Sequence, residues 1–187
     1  MRRLRPRRLP LFWPRAVLGL ALALCLGRAG PAANAETLAD TTVYLPLMMK
    51  DSPPSMATQV VILTNQERAN AGCPALAINS QLTTAAQNHT VDMALNDFFS
   101  HTSPGGSTLS SRLAAAGYRY WSAAENIAAG YSTPASVVAG WMNSSGHRAN
   151  ILNCSYTEIG VGYYYLANDT GGVNYHSYWT QDFGRPR

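Results

Sequence analysis

The chain has 187 residues, of which 47% are hydrophobic and 13% charged, and a formal net charge of +4 that misleads if taken whole. Half of its fourteen Lys and Arg residues, and none of its ten acids, precede residue 36, so the remainder is acidic overall. A mildly acidic body with no basic stripe in its sequence excludes the electrostatic footprint of a nucleic-acid binder. Residues 1–35 read as a secretory signal peptide: an arginine-rich start, an apolar run over 16–26, and Ala33-Asn34-Ala35 as the exit, with cleavage expected before Glu36. The apolar run is short for a membrane span, so the expectation is a secreted protein with no stable span after cleavage; an uncleaved anchor is the alternative. Cys25 leaves with the leader, and Cys73 and Cys154 remain as a pair bound for an oxidising compartment. One disulfide follows, worth about 4.5 kcal/mol in the chain-entropy description; two buried thiols are the alternative.

Residues 36–57 form an extended linker, because the apolar patch Val43–Met49 is cut by Pro46 and followed by Pro53-Pro54. From Thr58 the pattern turns helical, with Val60, Val61, Leu63 and Thr64 near one face, until Asn70-Ala71-Gly72 stops it. Ser80 is the expected cap of a second helix reaching about Asn96, in which Leu82, Ala85, Ala86, His89 and Met93 share a stripe. A third helix is predicted over Leu109–Ala116, capped by Ser107 or Thr108 and ended by Gly117. Thr133-Pro134 opens a fourth, running to about 144. Ile159, Val161, Tyr163 and Tyr165 alternate as a half-buried strand, and the intervening glycines leave room for something packed close. Asn168–Gly172 is a loop by composition, with a second alternating strand predicted over Val173–Phe183. Helices followed by a hairpin predict an α+β domain with helices covering an antiparallel sheet.

Four histidines occur. His89 lies on the stripe of the second helix and reads as a hydrogen-bonded core histidine, and His176 as a strand residue facing water. His101 and His147 each fall where an element is expected to meet a loop, the places from which side chains point into clefts. Glu125, among small apolar neighbours, needs a cation or a donor if it is buried. Two imidazoles and a carboxylate can hold zinc or another divalent metal with a position left for water, so His101 and His147 are candidate metal ligands and Glu125 a candidate ligand or general base. No HExxH signature accompanies them, and the same groups can equally form a polar hydrogen-bonded cluster. No G-x-S-x-G elbow, P-loop or GxGxxG is found. N-x-S/T triplets at Asn88, Asn143, Asn153 and Asn168 matter only in a host that glycosylates them.

The order of Asn65-Gln-Glu-Arg68, Gly72, His89, Phe99-Ser-His101, Glu125-Asn126-Ile127-Ala128, Trp141-Met-Asn-Ser-Ser-Gly-His147-Arg-Ala-Asn-Ile151, Gly160-Val-Gly162 and Trp179-Thr-Gln-Asp-Phe183-Gly184 resembles the bacterial SCP-domain branch of the CAP superfamily. That superfamily comprises the cysteine-rich secretory, antigen 5 and pathogenesis-related 1 proteins. The resemblance spans about residues 58–184 and implies a CAP/SCP domain over 58–187, built as a three-layer α-β-α sandwich. It also implies a central cleft in which His101, Glu125 and His147 match family positions. Two departures stand out: Ala124 replaces the glycine before the cleft acid, and Asn143-Ser144 replaces the second cleft glutamate of the eukaryotic branch. What the resemblance implies about function is a secreted, non-enzymatic binding module for an apolar or envelope-derived ligand such as a lipid or sterol. The alternative is a divalent-metal-assisted hydrolase acting on peptide or cell-wall material. Nothing in the sequence speaks to oligomeric state.

Overall fold

The computed structural model describes residues 53–187; the expected signal peptide, Cys25 and the expected linker up to residue 52 lie outside the described residues. Helix α1 (Met56–Asn70) begins two residues earlier than its apolar pattern, inside the expected linker, because Ser55 caps it by accepting from Thr58 N–H at 3.2 Å. Strand β1 (Ala77–Ile78) follows, then α2 (Ser80–Leu95). Its cap is Asn79 rather than Ser80: Asn79 Oδ1 accepts from Gln81 and Leu82 N–H at 2.9 and 3.1 Å, so Ser80 is already the first helical residue. Helix α3 (Leu109–Ala115) carries a reciprocal Thr108–Ser111 capping box and runs out at Gly117, whose φ of +77° suits glycine.

Strand β2 (Tyr120–Ala129) has no period-2 signature, since its residues from Glu125 to Ala128 are buried without interruption. Helices α4 (Pro134–Asn143) and α5 (Ser145–Ile151) meet at Ser144. His147 therefore lies within a short helix and not in a loop. Strand β3 (Glu158–Tyr165) lies where it was predicted, but Ile159 to Gly162 are buried without alternation and Tyr165 is exposed, whereas β4 (Ser177–Pro186) starts four residues later than predicted. Residues 173–176 are drawn away from the ladder by two aspartates. Asp97 accepts from Val173 N–H, and Asp169 accepts from the Tyr175 and His176 N–H groups. His176 consequently sits off the strand with φ of 59°.

The sheet order is β1-β3-β4-β2, antiparallel through β3, β4 and β2, with β1 joined parallel to β3. Helix α2 covers one face so closely that a Cβ at Gly160 would collide with the backbone of Leu82, and one at Gly162 with that of Ala86. The other face packs Ile159, Trp179 and Phe183 against Val60, Val137 and Trp141 of α1 and α4. The result is the expected three-layer α-β-α sandwich. Cys73 and Cys154 are joined in a disulfide across 81 residues. Beside it the buried Arg68 donates to four carbonyls, those of Pro74, Ile151, Asn153 and Tyr156, at 2.8 to 3.0 Å. No helix among the described residues is long and apolar enough to cross a membrane.

Candidate functional site

Strand β2 forms one edge of the sheet, and the elements that flank this edge bring the candidate residues together. On the α2 side, Glu125 is buried and each of its carboxylate oxygens accepts a hydrogen bond. His101 Nδ1–H donates to Oε1 at 2.7 Å and Arg112 donates to Oε2 at 2.6 Å. Arg112 also donates to the His101 carbonyl at 3.2 Å and to the Ser107 carbonyl at 3.1 Å, tying the loop after α2 to α3. Because a carboxylate can only accept, the contact places the His101 proton on Nδ1 and leaves Nε2 on a side chain that is 54% exposed. Burial alone would push the Glu125 carboxyl up; the His101 hydrogen bond and the Arg112 guanidinium outweigh it and hold the group below its ordinary value.

Asp182 stands directly across the ladder from Glu125 on β4, fully buried, and as a carboxylate it has no hydrogen-bond partner. Burial, with the charge of Glu125 adding to it, drives its pKa well above the carboxylate range. Two adjacent buried carboxyls cannot both ionise, so Asp182 is the neutral member and can donate its proton to Glu125.

On the other side of the edge, His147 is placed through its backbone. Asn126 Nδ2 donates to the His147 carbonyl and to Gln181 Oε1, each at 3.1 Å. Gln181 Nε2 in turn donates to Thr64 of α1 at 2.8 Å, and Asn150 of α5 donates to Asn126 Oδ1 at 2.8 Å. The His147 ring makes no hydrogen bond to a described residue; burial lowers its pKa, and the charge of His101 lowers it further. That coupling places the two rings within electrostatic reach of each other. A cavity of about 300 Å³ opens beside His147, walled by Phe99, Ile127, Tyr131, Trp141 and Tyr175. Gly140 lets the Tyr131 ring lie against α4, where a Cβ would meet its hydroxyl at 2.5 Å.

His101 and Glu125 are thus in direct contact, whereas His147 bonds neither and lines the aromatic cavity. His89 is the buried, hydrogen-bonded histidine expected, with Nε2 at 3.0 Å from the Ser100 carbonyl, and His176 is exposed. Arg112 and Asp182 were not legible as site residues. Arg112 left a signal, a lone cation in a helix of small and apolar residues, while Asp182 left none. As metal donors the two histidines offer two nitrogens. Both Glu125 oxygens already accept hydrogen bonds in this arrangement, and among the described residues no three His, Cys, Asp or Glu side chains assemble as a metal-binding group. A catalytic zinc centre takes three protein ligands, so the residues present fall one short of it.

A family model described as the cysteine-rich secretory protein family, CAP, matches residues 61–183. The chain belongs to this family. A CAP-domain neighbour among solved structures is an extracellular protein containing an SCP domain from Bacillus anthracis. It is 34% identical, with a TM-score of 0.62, over 84% of this chain and 45% of that one. An outer surface protein of Borrelia burgdorferi, 20% identical with a TM-score of 0.62 over 72% of this chain and 97% of that one, shares the fold. Among curated relatives, the uncharacterized protein YkwD of Bacillus subtilis is 42% identical over 67% of this chain and 45% of its own length. The uncharacterized membrane protein YlbC of the same organism is 38% identical over 59% of this chain and 33% of its own length. The chain therefore spans less than half the length of the curated relatives it matches.

Proposed function

We propose that this CAP-domain protein is exported, with residues 1–35 removed as a signal peptide, and acts outside the cell as a non-enzymatic binding module for an apolar or envelope-derived ligand of lipid or sterol type. The observation that carries the reading is the composition of the cavity beside His147, whose walls are aromatic and aliphatic. Such a pocket rewards apolar burial, at about 25 cal/mol per Å² removed from water. Lipid extraction and mass spectrometry of the secreted protein tests it. A lipid retained by the protein, absent from an unrelated secreted control and reduced by Tyr131→Ala or Phe99→Ala, is the expected result. No co-purifying lipid and no competition by added lipid ends the reading.

One observation favours a second reading, that of a metal-assisted hydrolase acting on peptide or cell-wall material. The Glu125 carboxylate holds His101 by Nδ1 and so aims Nε2 outward, the arrangement by which a carboxylate orients a metal-binding histidine. His101 and His147 are one protein ligand short of a catalytic zinc centre, so this reading requires Glu125 to give up a hydrogen bond and serve as the third; zinc so held would supply an activated water. Calorimetry decides it: zinc must bind near neutral pH, and His101→Ala with His147→Ala must abolish both binding and any cleavage. Activity retained in that double variant excludes this chemistry.

A further inference from the structure

No stretch of the sequence after the leader reads as basic, yet folding gathers three exposed arginines and an exposed tryptophan at one end of the sheet. Arg119 leads into β2, and Arg185 and Arg187 close β4. The register sets Tyr120 opposite Pro186 and Ser122 opposite Arg185, and the Arg187 N–H donates to the Arg119 carbonyl at 3.1 Å. Trp121 lies in the irregularity between Tyr120 and Ser122 and is 69% exposed. The Arg187 guanidinium stands over its ring at 4.9 Å while Arg187 Nε donates to the Tyr120 carbonyl at 2.9 Å. The patch is thus held by main-chain contacts and by one cation stacked on one ring.

One acid, Glu158, shares this end of the sheet, and the other described acids lie elsewhere. Glu158 is opposite Gly184, and its carboxylate accepts from Tyr118 O–H at 2.7 Å. Glu67 belongs to α1, which packs on β3, α4 and α5. Asp92 and Asp97 lie at the C-terminal end of α2 and Asp169 in the loop from β3 to β4, the far end of the sheet. Glu125 and Asp182 are buried. Among the described residues, this end therefore gathers three exposed arginines and an exposed tryptophan against one carboxylate that is engaged by Tyr118.

We propose that the end of the sheet formed by Arg119, Trp121, Arg185 and Arg187 docks the protein on an anionic phospholipid surface, independently of what the cleft holds. Tryptophan has an apolar body and a polar N–H, which suits it to the headgroup layer, and the guanidinium fork matches a phosphate. Positive charges held near an anionic bilayer add attraction that falls within a Debye length.

The test is co-sedimentation of the secreted protein with vesicles of equal parts phosphatidylglycerol and phosphatidylcholine, against vesicles of phosphatidylcholine alone. Binding to the anionic vesicles that weakens with salt is expected. Each of Arg119→Gln, Arg185→Gln and Arg187→Gln should weaken it about 5-fold. Trp121→Phe should remove the blue shift of tryptophan emission on binding, since Trp141 and Trp179 are already buried. The His101→Ala, His147→Ala double variant should bind vesicles as the parent does, so failure here and failure of the cleft reading are separate results. Unchanged melting of each variant confirms that it is folded. The proposal is overturned by protein left in the supernatant, by arginine variants that bind undiminished, or by capture on single-stranded DNA in place of the vesicles.

Discussion

The wall of the cleft that carries His101 and the wall that carries His147 hold their side chains differently. Around His101 the imidazole, the Glu125 carboxylate and the Arg112 guanidinium are bonded to one another at 2.6 and 2.7 Å. Around His147 only the backbone is fixed, by Asn126, and the ring looks onto an aromatic cavity with no hydrogen bond to a described residue. The first wall therefore contributes to holding the domain together, and the second is free to respond to whatever enters. Stability should be sensitive to changes in the first, and ligand retention to changes in the second.

The largest expected effect is Arg112→Leu, which leaves the Glu125 charge buried without its cation. Chemical denaturation should show a loss of about 3–5 kcal/mol, and His101→Ala, on an exposed ring, should lose far less. Gly140→Ala forces the Tyr131 ring off α4 and toward the cavity; a loss of about 1–3 kcal/mol by overpacking should come with reduced ligand retention. Asp182→Asn reads the pH dependence of the first wall. Burial raises the folded pKa of Asp182, so the unfolded carboxyl ionises first as pH rises from about 4. Stability is then lost with rising pH until the folded group itself ionises. The asparagine variant lacks that loss, so its melting temperature should gain on the parent from pH 4 upward. His147→Ala should have the smallest effect on stability, within about 0.5 kcal/mol near neutral pH, while changing ligand retention. Its lowered pKa means that the stability tied to the neutral ring is lost as pH falls through the ordinary histidine range.

Much of this contrast was hidden from the sequence for identifiable reasons. Helices α1 to α4 were legible because their stripes and stops are local: Gly72, Gly117 and Thr133-Pro134 each act on adjacent residues. Strand β2 was not, since both of its faces are covered and the period-2 signal disappears when nothing faces water. The pairing of Cys73 with Cys154 followed from counting cysteines after the leader, whereas the contact between Glu125 and Asp182 depends on the register of β2 against β4, which no local pattern specifies. The fourth helix was expected to end near 144 and leave His147 at a junction with a loop, and the chain instead starts a further helix at Ser145. The arginine-rich end of the sheet is the same lesson on the surface, with Arg119 and Arg187 far apart in sequence and joined by one main-chain hydrogen bond.

Arg68 has a consequence for a reducing environment. The segment from Ile151 to Tyr156, which follows α5 and is pinned by Cys154, is also gripped by one guanidinium through three of its carbonyls. A thiol reagent can open the disulfide, but it leaves the guanidinium in place. The reduced protein should therefore keep α5, and with it His147, where the oxidised protein has it, and lose resistance to unfolding without losing the form of its cleft. Lysine at position 68 would not substitute, since a single ammonium group cannot reach four carbonyls that diverge around a planar fork.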